Sequence, residues 1–205
     1  MRRNRLILVM ASYISLVFTP FYLPLMGLLA LFSFTYLSMF HWGYKLHLLL
    51  LVWLFTCLLP TTLIRLYRHY KGWSLLRLLR REERMVPYAI SIACYFACLY
   101  VMSLQHVSHI ITSIVIAALI IQICCAIINH WWKISTHTAA IGGTTGAVVA
   151  FSLIFGFYPL WWLCFLIILA GVLGTSRMLL RIHTLGEIIG GYLIGVMAGF
   201  VGVVV

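Results

Sequence analysis

The chain has 205 residues, 64% of them hydrophobic and 8% charged, with 14 Lys/Arg against 3 Asp/Glu. A soluble domain is near half apolar and a quarter charged, so the composition excludes one and describes an integral membrane protein. The basic excess lies in the connections between apolar runs, where lipid headgroups or a phosphate would meet it, so it gives no sign of nucleic-acid binding.

The apolar runs are long, rich in Leu, Ile and Phe, and lack strict alternation, which argues for helices and against a barrel. The expected fold is all-α: a single membrane domain over residues 1–205, a polytopic bundle of six to seven spanning helices. The basic start Met1 to Arg5 leads into the apolar run Leu6 to Phe18. This is similar to the first two regions of a signal peptide, but no small-residue cleavage site follows clearly, and Pro20 and Pro24 interrupt the run. Residues 6–20 therefore read as an interfacial or re-entrant lead-in, or a short anchor. Spanning candidates follow at 22–40, 45–66, 86–104, 108–131, 138–156, 159–175 and 186–204, of which 159–175 is short.

The long polar connection, Arg65 to Pro87, carries seven Lys/Arg together with Glu82 and Glu83. Within it, Trp73 to Arg84 suits an amphipathic helix on the membrane surface, with Trp73, Leu75, Leu76, Leu78 and Leu79 toward lipid. It reads either as a basic surface helix alone or as one whose arginines hold a phosphate. After the fourth candidate comes Asn129 to Thr138, where tryptophans suit the membrane interface. Ser135 or Thr136 can cap the next helix, whose free N–H groups suit an anion, and His137 falls near that N-terminus. In the last run Gly186, Gly190, Gly191, Gly195 and Gly199 form a small-residue stripe for close helix packing. The six cysteines all lie in apolar runs and read as small buried packing residues.

The most informative stretch is Ser176 to Glu187. Glu187 is the only acidic residue after Glu83. A carboxylate between two membrane runs is costly and calls for a partner. His183, four residues earlier, would share a helix face with it, and a histidine oriented by a carboxylate can act as nucleophile or proton carrier. Arg177 and Arg181 add charge. The plainer reading is a charged turn whose arginines reach for headgroups.

Two apolar runs separate the cluster Arg77 to Arg84 from Lys133 to His137, and two more separate that from Arg177 to Glu187. If every run spans, all three clusters emerge on one membrane face. Converging arginines suit a phosphate ester, because the planar guanidinium donates two bonds at once.

In these residues the chain resembles the type 2 phosphatidic acid phosphatase superfamily, whose helical core is shared with vanadium haloperoxidases. The family's third motif, SR, five residues, H, three residues, D, is matched by Ser176-Arg177, His183 and Glu187, with Glu for Asp. Its second motif, PSGH, corresponds to Ile134-Ser135-Thr136-His137 without the Pro and Gly. Its first motif, K, six residues, RP, corresponds to Arg77 and Arg84, with Pro87 three residues late and with Arg80 or Arg81 as alternatives to Arg77. The resemblance covers residues 77–204 as a catalytic core.

It implies a lipid-phosphate phosphatase acting on a phosphomonoester or diphosphate of a membrane lipid. His183 would attack phosphorus and become a phosphohistidine, Glu187 would hold its tautomer, and His137 would protonate the leaving group. Arg77, Arg84, Arg177 and Ser135 would bind the phosphoryl oxygens, beside Ser176 of the same motif; Lys133 is close by in the chain but matches no motif position. The scheme calls for no metal ion and no cofactor. Two other classes fit the sequence: a non-enzymatic lipid transporter or scaffold, and a membrane electron carrier whose histidines ligate haem.

The resemblance implies a bacterial inner membrane with the site on the periplasmic side. The charge distribution points the other way. Outside the N-terminal tail, ten Lys/Arg fall on the site face and only Lys45 on the opposite one, which by the positive-inside rule would be a cytoplasmic site.

Overall fold

The computed structural model describes residues 2–34, 36–72 and 85–205. The helices are α1 (Arg2–Val17), α2 (Leu23–Phe34), α3 (Trp42–Trp53), α4 (Leu59–Lys71), α5 (Met85–Leu104), α6 (His109–Asn129), α7 (Thr136–Phe155), α8 (Leu160–Leu179) and α9 (Leu185–Val204). A short 3-10 turn lies at Tyr36–Met39, and a π turn at Leu54–Leu58 joins α3 to α4. No strand occurs among the described residues.

Among the described residues, six helices are long and apolar enough to cross a bilayer: the continuous Trp42–Lys71 and each of α5 to α9. Twenty residues at about 1.5 Å each reach about 30 Å, the thickness of the hydrocarbon layer. Their outward faces carry large apolar side chains, among them Leu153, Ile168 and Met197, which are 70%, 66% and 71% exposed. Such a surface needs lipid as its solvent, so the protein is an all-α polytopic membrane protein.

Three helix boundaries differ from the sequence expectation. The candidate at 22–40 is not one span. Pro24 lies in the first turn of α2, which has only 12 residues and gives way to the 3-10 turn. The candidate at 45–66 is part of a 30-residue helix. Pro60 has no N–H and would crowd the carbonyl one turn back, yet the helix does not break. The π turn opens the spiral there, with Leu59 N–H donating to the carbonyl of Leu54. The hydroxyls of Thr61 and Thr62 donate to the carbonyls of Cys57 and Leu58, at 2.6 and 2.8 Å. The candidate at 159–175 runs on to Leu179, so Ser176 and Arg177 lie within α8 and not in a turn. The cysteines also divide: Cys57, Cys94, Cys98 and Cys125 are buried, but Cys164 is exposed on the outer face of α8. The surface helix expected over 73–84, with Arg77, Arg80, Arg81 and Arg84, lies outside the described residues.

Polar contacts identify which helix ends lie together. At one end His47 meets Gln105 (3.0 Å), joining the start of α3 to the end of α5, and Lys45 donates to the carbonyl of Ser38. At the other end Asn129 Nδ2 reaches Met85 Sδ at 3.8 Å, and Ser135 N–H donates to the carbonyl of Glu187 at 3.3 Å. The connections 130–135 and 180–184 therefore share one end with the start of α5, as the parity argument requires.

The tightest helix pair is α7 with α9. A Cβ on Gly142 or Gly146 would fall on the backbone of α9 at Tyr192 or Val196, and one on Gly195 or Gly199 on the backbone of α7 at Ala139 or Gly143. The glycine stripe of α9 thus meets a second stripe on α7, and the two backbones touch with no side chain between them. Nearby, Tyr88, Ile121, Cys125, Ile134, Ala139 and Ala198 form the core beneath the basic end. Gly195→Leu is expected to destabilise the protein by about 3 kcal/mol or more, as an overpacked contact with no room to relax. Gly171→Leu, where a Cβ meets nothing within 4 Å, should melt with the wild type. Thermal unfolding in detergent measures both.

Candidate active site

The site is built where two connections meet. α8 closes with Ile182 N–H on the carbonyl of Arg177 (3.2 Å) and Arg181 N–H on that of Met178 (2.9 Å). Arg181 takes the left-handed conformation (φ 53°) that usually falls to glycine at such an end. The chain then reverses, and Thr184 caps α9. Its Oγ1 accepts from Glu187 N–H (3.5 Å), while Glu187 Oε2 accepts from Thr184 N–H (3.4 Å), a reciprocal capping box.

The same carboxylate oxygen lies 2.6 Å from His183 Nδ1. The pair expected from the sequence is therefore present, but it is not made on a helix face. His183 precedes the cap residue, and the Glu187 side chain curls back over the helix end to reach it. Glutamate, one methylene longer than aspartate, has the reach for this. His183's side chain is 1% exposed and Glu187's 13%. With Nδ1–H donated to the carboxylate, the imidazole lone pair resides on Nε2, the tautomer a nucleophile or base needs.

The second connection closes over the first. Lys133 Nζ donates to the carbonyl of Ile182 at 2.7 Å. Ser135 is fully buried and caps α7, its Oγ accepting from Thr138 N–H at 3.5 Å. A Cβ on Gly191 would lie 2.7 Å from Thr138 Oγ1 and 2.8 Å from the Ser135 carbonyl, so the starts of α7 and α9 lie side by side. Trp132 lies across α9, 2.7 Å from where a Cβ on Gly190 would stand, whereas Trp131 points outward and is 72% exposed. His137 is in the first turn of α7, a turn without acidic residues, so its N–H groups and dipole favour an anion.

His183, Glu187, Lys133 and Ser135 are thus joined in one cluster, with His137 two residues beyond Ser135. Arg177 is buried in the last turn of α8, and its Nη1 donates to Ser15 Oγ of α1 at 2.7 Å. Arg181 is exposed, so the two arginines do not act as a pair. Ser176 turns its hydroxyl back to the carbonyl of Val172 (2.8 Å). Arg77 and Arg84, with the alternatives Arg80 and Arg81, are outside the described residues; their segment follows Gly72 and returns at Met85, beside Asn129.

Four residues at or near this end of the bundle escape the sequence reading. Thr184 was legible, because Thr184-Leu-Gly-Glu187 is the Thr-x-x-Glu pattern of a capping box. Trp132 shows its role only once Gly186 and Gly190 are seen as the flat surface under its ring. Asn129, 1% exposed at the end of α6, and Ser15, far away in the chain, carry no local signal. No three His, Cys, Asp or Glu side chains among the described residues are grouped to hold a metal ion.

The capping box gives Glu187 a structural part beside its contact with His183. Thr184→Ala is expected to cost about 1 kcal/mol. Glu187→Gln, which can still close the box, should cost less than Glu187→Ala. Thermal midpoints in detergent rank the three.

Compared with models of protein families, with curated proteins and with solved structures, the chain finds no match.

Proposed function

We propose that the protein is a lipid-phosphate phosphatase working through a phosphohistidine. The observation that carries the reading is the buried 2.6 Å contact between His183 Nδ1 and Glu187 Oε2, set between the starts of two helices and beside Lys133. His183 Nε2 attacks phosphorus as the bond to the lipid oxygen breaks, and His137 gives that oxygen its proton. Water, deprotonated by His137, then cleaves the phosphorus–nitrogen bond, releasing inorganic phosphate and restoring His183. Glu187 stabilises the imidazole as it gains positive charge. Lys133, Arg177 and the N–H groups at the start of α7 hold the phosphoryl oxygens, joined by Arg77 and Arg84. Ser176 is left out of this set because its hydroxyl is committed to Val172.

A second reading has one observation in its favour. His183's side chain is closed to solvent and its partner carboxylate already serves a helix cap. In a non-enzymatic lipid transporter or scaffold, the same pair would be a staple between α8 and α9.

The test is phosphate release in detergent from phosphatidic acid, phosphatidylglycerol phosphate, an isoprenyl diphosphate and lipid A phosphates. Wild type is expected to release phosphate in excess chelator from at least one of them, and His183→Ala to lose about 10³-fold or more. Equal rates for the two proteins would refute the chemistry; an inactive wild type that still binds lipid phosphate would favour the second reading.

On the resemblance, the proposed site faces the periplasm of a bacterial inner membrane, against the charge distribution. Lys71→Cys should then react with a membrane-impermeant maleimide in intact cells and His41→Cys should not; the reverse result would put the site in the cytoplasm.

A further inference from the structure

Arg177 presents a physical problem that α1 helps to resolve. Its guanidinium is always charged, and the residue is only 9% exposed, within a largely apolar bundle. A buried cation is costly unless its N–H groups find acceptors. The acceptor α1 offers is a neutral one, the hydroxyl of Ser15, at 2.7 Å from Nη1. Ser15 is itself 7% exposed and lies in the last turn of α1, the carbonyl end of that helix, where a nearby cation is favoured. α1 packs against α8, and it falls outside the segment that carries the motifs.

The choice of acceptor matters. A carboxylate in this position would neutralise Arg177 and compete with an incoming phosphate. α1 contains no acidic residue. A hydroxyl fixes one edge of the guanidinium plane without itself cancelling the charge. We infer that Ser15 is a positioning residue for phosphate: through its contact with Nη1 it orients Arg177, which makes α1 part of the substrate site. The inference rests on the phosphatase reading and on Arg177 as a phosphate ligand.

The experiment compares Ser15→Thr with Ser15→Val, two β-branched side chains of similar shape that differ in the hydroxyl. Steady-state hydrolysis of the best lipid phosphate and inhibition by inorganic phosphate are measured for both. The valine variant is expected to raise KM and the phosphate inhibition constant about tenfold, the scale of one hydrogen bond to a charged group. Its kcat should change less, and the threonine variant should stay near wild type. Ser12→Ala, on the exposed side of α1, should have no effect. In an Arg177→Ala background the Thr/Val difference should vanish, as a residue acting through Arg177 requires. An active wild type with equal KM in the two variants overturns the inference alone. So does a Thr/Val difference that persists without Arg177, or a loss confined to kcat and thermal stability. A wild type that hydrolyses none of the lipids overturns the phosphatase reading and this inference with it.

Discussion

The rest of the structure depends on the direct contact between the backbones of α7 and α9. Glycines on both helices remove the side chains that would hold them apart. In a bilayer the hydrophobic effect does not draw helices together, so close van der Waals packing of this kind has to do so. Because the two backbones are in register from Gly142 to Gly199, their starting turns lie side by side. Two helix starts bring the positive ends of two helix dipoles to one place, together with the residues that cap them. Ser135 and Thr184 are those caps, and His137 and Glu187 stand in the turns they begin.

One carboxylate makes two contacts at this helix end. Glu187 closes the capping box of α9 and binds His183 through the same oxygen. An aspartate there would be shorter by one methylene and would have to choose between the two. The length of the glutamate side chain is in this geometry what permits both contacts. The cost falls on access, since a ring held this way is enclosed by the elements that orient it.

Much of this is legible in the chain itself. Composition and run length identified the membrane bundle, and counting runs between basic clusters put the Lys133 and Arg177 regions at one end. The pairing of His183 with Glu187 was also readable, although its cause was not. A spacing of four suggests a helix face, and only the capping pattern at Thr184 reveals a helix start instead. The 22–40 run was misread because apolarity alone does not report where a helix stops. The reach of α8 through Arg177 was hidden because a Ser-Arg pair suggests a turn when its buried partner is unseen. That partner, Ser15, could not have been found by local pattern, since it sits 162 positions away.

The π turn between α3 and α4 has a consequence for the basic end. One additional residue in a turn advances every later side chain by about 100° around the helix axis. The face that Arg65, Arg68 and Lys71 present is therefore set by five residues in the middle of the membrane, Leu54–Leu58. Restoring a regular spiral there would leave the helix spanning the bilayer but swing its cationic tip to another side of the bundle. The position of charge at the rim is in this sense encoded by a defect in the apolar interior, held open by a proline.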